Sequence, residues 1–141
     1  MANIVSLTEA SSIALHGIIL LAQVNRPMNV IEIAEKTGSS KHHVSKIFQR
    51  LAKDGFVTSQ RGPTGGFKLI ADINETNLLQ VYESIEGKLQ VLDCPVNHPI
   101  CPFNNCILGG ITQEMTQLFK NYLESNTLKD FLNEKFIKNE E

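Results

Sequence analysis

The stretch Ser40–Phe67, SKHHVSKIFQRLAKDGFVTSQRGPTGGF, decides the fold. Its first half predicts a helix, because Val44, Ile47, Phe48 and Leu51 recur at i, i+3, i+4 and i+7 and so place one apolar stripe against a core. The other faces carry Lys41, His42, His43, Ser45, Lys46, Gln49, Arg50 and Lys53, all able to donate to phosphates or base edges, and no acid interrupts them before Asp54. Ser39 or Ser40 supplies a cap at the start, and Gly55 sits where a left-handed residue ends a helix. Phe56, Val57 and Thr58 then have strand character, Gly62-Pro63-Thr64-Gly65-Gly66 suits only a turn, and Phe67, Leu69 and Ile70 form the return strand. A polar-faced helix running into a glycine-tipped hairpin is the arrangement of a winged helix. Arg61 stands at the tip, beside glycines that let backbone come close to another surface.

Working outward toward the N-terminus, Thr8 to Val24 predicts one scaffold helix, with Ala10, Ile13, Ala14, Gly17, Ile18 and Leu21 at helical spacing. Asn25-Arg26-Pro27 breaks it. Asn29-Val30-Ile31-Glu32 has the form of a capping box that opens a short helix ending at Gly38. Helix, tight turn and reading helix in that order make a helix-turn-helix, and the hairpin directly behind it makes the winged form. On the other side, Asp72 to Asn77 is a polar connection with Thr76 as cap, and Leu78, Leu79, Tyr82 and Ile85 predict a helix ended by Gly87.

At 141 residues and 42% hydrophobic content the chain can bury one core and carry a short extension. No run is long enough to span a bilayer and the start has no signal-peptide pattern, so a cytoplasmic protein is expected, with no membrane partner. The net charge of -2 argues against a DNA binder until its distribution is followed. Lys36 to Lys68 holds seven basic residues and one acid, a local +6, whereas the chain from Leu78 onward holds five basic and nine acidic residues, a local -4. The positive charge therefore lies on the reading head.

From Leu89 to Gly110 the composition changes. LQVLDCPVNHPICPFNNCILGG holds all three cysteines, three of the five prolines and one histidine, which rules out a regular helix or strand and gives the segment the character of a ligand-holding loop. Cys94, Cys101 and Cys106 are spaced C-x6-C-x4-C, and an odd count argues against a disulfide framework. Two inorganic readings fit the thiols. His98 would complete a Cys3His zinc site; alternatively, the prolines after Cys94 and Cys101 suit an iron-sulfur cluster. Beyond Gly110, Ile111, Met115, Leu118, Phe119 and Tyr122 predict a helix to about Glu124, its apolar face meeting the same helix of a second subunit, and a shorter helix is expected from Thr127.

These residues resemble the IscR/NsrR-type (Rrf family) winged-helix transcriptional regulators, bacterial proteins that sense iron-sulfur clusters, nitric oxide or redox state. The resemblance spans nearly the whole chain. It rests on Ala14-Leu15 with Leu21-Ala22, on Val44 to Leu51, and above all on Arg61-Gly62-Pro63-Thr64-Gly65-Gly66-Phe67-Lys68-Leu69 followed by three cysteines and a long helix. It implies a homodimer crossing through long C-terminal helices on palindromic double-stranded DNA, with Cys94, Cys101 and Cys106 holding a 2Fe-2S or 4Fe-4S cluster near the partner's first helix. Ser40, His42, Ser45, Lys46 and Arg61 correspond to family DNA contacts. For the fourth ligand, some members use a histidine three residues after the last cysteine, which here is Gly109; others use an acidic side chain at the position of Ser12. Glu9, one turn earlier, and His98 remain as alternatives, as does a small exogenous ligand.

The expectation is therefore a mainly α protein with a winged helix-turn-helix domain over residues 1–88, a two-stranded wing, a cluster-binding loop over 89–109, and a long dimerisation helix with a C-terminal helix over 110–141. Ser40, Lys41, His42, Ser45, Lys46, Gln49, Arg50, Arg61 and Thr64 are the expected DNA contacts. The function is a regulator, a repressor, under control of an iron-sulfur cluster; the alternative is a structural zinc or a thiol switch in the same loop. An enzyme is not expected, since no phosphate-binding glycine loop at a helix start and no nucleophile-base constellation is present.

Overall fold

The computed structural model describes residues 1–96 and 100–138. In chain order it has α1 (Glu9–Val24), α2 (Val30–Thr37), α3 (Lys41–Lys53), β1 (Val57–Gln60), β2 (Gly66–Leu69), α4 (Leu78–Glu86) and α5 (Ile111–Ser125), followed by 3-10 turns at Leu128–Phe131 and Glu134–Phe136. Val44, Ile47, Phe48 and Leu51 of α3 are buried, as their spacing requires. They join Ile13, Ala14, Ile18 and Leu21 of α1, Ile33 of α2, Val57 and Phe67 of the hairpin and Val81 of α4 in one core. Each such side chain contributes about 1.5–3 kcal/mol by leaving water. The helices cross closely where Gly17 meets Phe48, since a Cβ on Gly17 would stand 2.5 Å from the ring.

Both ends of α3 are closed by local chemistry. The Ser40 side chain accepts from the His43 N–H at 3.2 Å. At the other end Gly55 takes φ +86, its N–H donates to the Ala52 carbonyl at 3.2 Å, and the Phe56 N–H donates to the Leu51 carbonyl at 3.0 Å. This pair of bonds is a Schellman motif, and it sends the chain straight into β1.

The hairpin pairs antiparallel, with Val57 opposite Leu69 and Gln60 opposite Gly66. A third segment joins it: the Met28 N–H donates to the Phe67 carbonyl at 2.9 Å and the Phe67 N–H to the Met28 carbonyl at 2.8 Å. Gly66, at φ +147, is what permits this approach, because a Cβ there would lie 2.3 Å from the Met28 oxygen. The Phe48 and Phe67 rings, with centroids 5.3 Å apart, tie the wing to the reading helix from inside.

Several local expectations are corrected. The box expected at Asn29 forms only by half: the Asn29 side chain accepts from the Glu32 N–H at 2.8 Å, but the Glu32 carboxylate turns instead to Arg26. The cap of α4 is Asn77, in a full box with Gln80, whereas Thr76 is buried and uses its carbonyl to accept from the Leu128 N–H at 3.0 Å. The C-terminal helix is not long: α5 has 15 residues, one fewer than α1, and the helix expected from Thr127 is two 3-10 turns. Thr127 caps the first of these with Asp130, and Asn133 opens the second, so no α-helical turn propagates between them.

The end of the chain folds back onto the DNA-reading domain. The Leu78 N–H donates to the Asn126 carbonyl at 3.0 Å and the Lys129 N–H to the Ile73 carbonyl at 3.0 Å, and Leu123 and Leu128 enter the common core. The apolar stripe of α5 consequently divides. Met115 and Phe119 are half-buried, with Phe119 edge-on to Tyr82 of α4 at 5.7 Å, while Ile111, Leu118 and Tyr122 stay exposed. Among the described residues no helix is long and apolar enough to cross a membrane.

Candidate nucleic-acid interface and cysteine segment

The reading helix presents Lys41, His42, Lys46, Gln49 and Arg50 to solvent, and the wing presents Arg61 and Thr64. Ser45 is half-buried and accepts from the Gln49 Nε2 at 3.2 Å, so these two polar groups hold each other in place at the surface. Ser40 is exposed but spends its oxygen on the helix cap. His43 departs from the rest: it is turned toward α1, with Nδ1 3.4 Å from the Glu9 carboxylate. Arg50 also has an internal partner, since its Nε donates to the Ser84 carbonyl of α4 at 2.9 Å.

The wing is pre-shaped by two close approaches. The Gly65 N–H donates to the Gly62 carbonyl at 3.0 Å, and a Cβ on Gly65 would meet the Gln60 oxygen at 2.3 Å. Beside the hairpin lies a polar groove that periodicity does not reveal, lined by Asn29, Gln60 and Thr64 together with Arg26 and Glu32. The Arg26 guanidinium grips the Glu32 carboxylate with two bonds, 2.5 and 3.1 Å long. That hydrogen bonding holds the Glu32 carboxyl below its usual range and raises the Arg26 guanidinium. Six residues separate the pair across a helix boundary, so helical spacing gives no hint of it; the basic residue directly before Pro27 is the only trace.

The cysteine segment leaves α4 at Gly87, φ +84, and enters α5 at Gly110, φ +78. Two bonds hold its first part to the helices on either side. The Leu89 N–H donates to the Glu83 carboxylate at 2.8 Å, and the Gln113 Nε2 donates to the Asp93 carboxylate at 3.1 Å. Beyond these two bonds Cys94, Cys101 and Cys106 are all exposed. Among the described residues no three His, Cys, Asp or Glu side chains converge as a metal site, so the thiols share a segment without sharing a centre.

The donor chemistry fits a thiolate-ligated group, because three sulfur donors lie in one segment whose described residues form no helix or strand. Drawing them together requires the segment to rearrange, and a fourth donor must come from elsewhere. Of the positions considered for it, His98 lies outside the described residues; Gly109 offers only backbone, at φ +61; Ser12 is half-buried beside His16 Nδ1 at 3.3 Å; and Glu9 faces His43.

The family model Rrf2, described as an iron-dependent transcriptional regulator, matches residues 7–134. The HTH-type transcriptional regulator IscR of Pectobacterium atrosepticum is 26% identical over 113 residues, which is 80% of this chain and 69% of that protein. Among solved structures, T. potens IscR has a TM-score of 0.73 at 21% identity, covering 96% of this chain and 94% of that one. CymR, the global cysteine regulator of B. subtilis, has a TM-score of 0.73 at 20% identity, covering 92% and 97%. Structural likeness at such identity speaks for the winged-helix fold, and the family match speaks for the class of function. The chain belongs to the Rrf2 family of transcriptional regulators, and its winged helix-turn-helix is a DNA-reading module rather than an enzyme.

Proposed function

We propose that this protein is a cytoplasmic, homodimeric repressor that binds a palindromic operator, with an affinity set by the state of its cysteine segment. One observation carries the reading: every thiol of the chain is exposed in a single segment, directly between the last helix of the DNA-reading domain, to which Leu89 is bonded, and α5, to which Asp93 is bonded. The units are the reading domain over residues 1–88, the sensing loop over 89–109 and the dimerisation region over 110–141.

In this reading α3 enters the major groove. Lys41, His42, Lys46 and Arg50 take phosphates, and Ser45 and Gln49 lie toward base edges. Arg61 and Thr64 reach the flanking groove from the wing, while Ser40 fixes the helix start. The exposed Ile111, Leu118 and Tyr122 of α5 supply the face that pairs with a second copy, as symmetric operators require.

Cys94, Cys101 and Cys106 would hold an iron-sulfur cluster, which, when bound, supplies a centre sensitive to nitric oxide, oxidants and cluster supply. This chain's own part is to offer three thiolates and an incomplete donor set, leaving one position for an outside group. The naming of the curated relatives as IscR and the family description as iron-dependent support this choice. A second reading rests on the exposure of the three cysteines: a zinc site, or a switch in which thiol oxidation carries the signal.

The test is visible absorbance with iron and zinc analysis on protein purified without oxygen. A brown protein with several irons per chain is expected. A colourless one holding about one zinc per chain selects the zinc site, and a colourless, metal-free one that resists iron-sulfur reconstitution selects the thiol switch. Titrating the cluster-loaded protein with nitric oxide then checks the signal: unchanged spectrum and operator affinity would remove nitric oxide from the list.

A further inference from the structure

A short run of polar contacts connects the cysteine segment to the reading helix through the end of α4. The Leu89 N–H, at the start of the cysteine segment, is held by the Glu83 carboxylate at 2.8 Å, and Lys88 Nζ stands 3.6 Å from the same side chain. The next residue along α4, Ser84, meets α3 twice. Its carbonyl accepts from Arg50 Nε at 2.9 Å, and its hydroxyl donates a short hydrogen bond to the Asp54 carboxylate. Arg50 is on the exposed face of α3, and Asp54 is its C-cap.

We propose that Ser84, with Asp54 and Arg50, positions the reading helix according to the state of the cysteine segment. This relay rests on the proposed sensing role. Ser84 O is one of the last carbonyls of α4, which have no partner within their own helix, so a cation from α3 is a natural cap for it. Arg50 supplies that cation through Nε, leaving its two terminal nitrogens for a phosphate. The same guanidinium thus serves α4 and the DNA surface, and a shift of the end of α4 alters where Arg50 can reach. Glu83 and Ser84 are adjacent on one helical turn, so a pull on Leu89 is felt at Ser84 through rigid backbone. The contacts lie at the solvent edge, where a hydrogen bond adds little net stability. Their arrangement suits them to adjust the reading helix rather than to hold the fold.

The test measures operator affinity by fluorescence anisotropy for the full chain in two states of the segment. One is the protein as purified without oxygen; the other is the protein after alkylation with iodoacetamide, which finds thiols only in this segment because the three cysteines all lie there. Wild type should differ between the states by about 5- to 150-fold, the span of ordinary allosteric coupling, and Ser84→Ala or Asp54→Asn should bring the ratio to within about twofold. Ser84→Thr, which keeps the hydroxyl, should restore the wild-type ratio; a merely structural serine would not show this pattern across states. Collapse of the ratio in either folded variant supports the relay, and a full ratio in both overturns it. A wild type whose affinity is the same in both states overturns the sensing role itself and the relay with it.

Discussion

Residues 40–67 and 87–110 lie on either side of α4 and are similar in length, yet they are built to opposite specifications. The first buries Val44, Ile47, Phe48, Leu51, Val57 and Phe67, closes its helix at both ends and is braced from behind by α1. The second leaves Val96, Ile100, Phe103 and Ile107 exposed, between 56% and 78% of their full surface, around three exposed thiols. Apolar surface of that kind marks a contact still to be made, with a ligand or a second copy. Under the proposed function this is a division of labour: the part that reads DNA carries its own core, and the part that would respond is left to be completed by what it binds.

The largest effect is expected from emptying the core of the first region. Phe48→Ala should lower the unfolding free energy by about 3–5 kcal/mol in urea titration, since the ring is fully buried between α1 and β2. A loss below about 1 kcal/mol would mean that the reading head is not the folding core. Next, Gly66→Ala forces a Cβ against the Met28 carbonyl at a left-handed φ. It should cost about 1–3 kcal/mol of stability and weaken operator binding as the wing tilts. Arg61→Ala is expected to leave stability unchanged while weakening specific binding by about 1–3 kcal/mol, measured by anisotropy on operator against random DNA; equal loss on both would make it a phosphate contact.

On the open half, Cys101→Ala should abolish cluster loading, read as lost visible absorbance, while stability moves by no more than about 0.5 kcal/mol. A large destabilisation would show that the segment is structural. The smallest effect concerns Glu32. Its folded carboxyl lies below the ordinary value because Arg26 hydrogen-bonds the ionised form, so its contribution is present above the ordinary glutamate range and fades as the pH falls through the lowered value. Glu32→Gln should therefore differ slightly from wild type at neutral pH and converge with it in acid, by urea melts at about pH 7 and about pH 3.

Much of the first region is legible in the sequence because its signals are local and repeated: a four-point apolar stripe, serine before it, glycine after it, and a turn that glycines and proline force. The groups that assemble across distance are not legible. Met28 looks like part of a breaker after Pro27 but adds a third segment to the wing, through a backbone pairing that leaves no side-chain pattern. The α5 stripe reads as one face, yet Phe119 packs on Tyr82 of α4 while Leu118 and Tyr122 stay exposed, because a one-position shift around the helix separates the two roles. Likewise Arg50 reads as a DNA contact from its charge, and only the fold reveals its second allegiance to Ser84. The cysteines announce their chemistry by type and spacing, whereas the site that would gather them depends on a donor and a rearrangement that spacing does not encode.

The rung between Met28 and Phe67 has a kinetic meaning. A hairpin of two four-residue strands is marginal alone in water and would sample many orientations before meeting DNA. Bonded on its other edge to the turn between α1 and α2, the wing arrives already aimed. Ordering a loop during docking commonly slows capture and weakens the complex, because freedom is surrendered at that moment. Here the freedom is surrendered once, when the chain folds. Each encounter with an operator then meets a finished surface, and search speed along DNA depends on electrostatic attraction rather than on waiting for the wing.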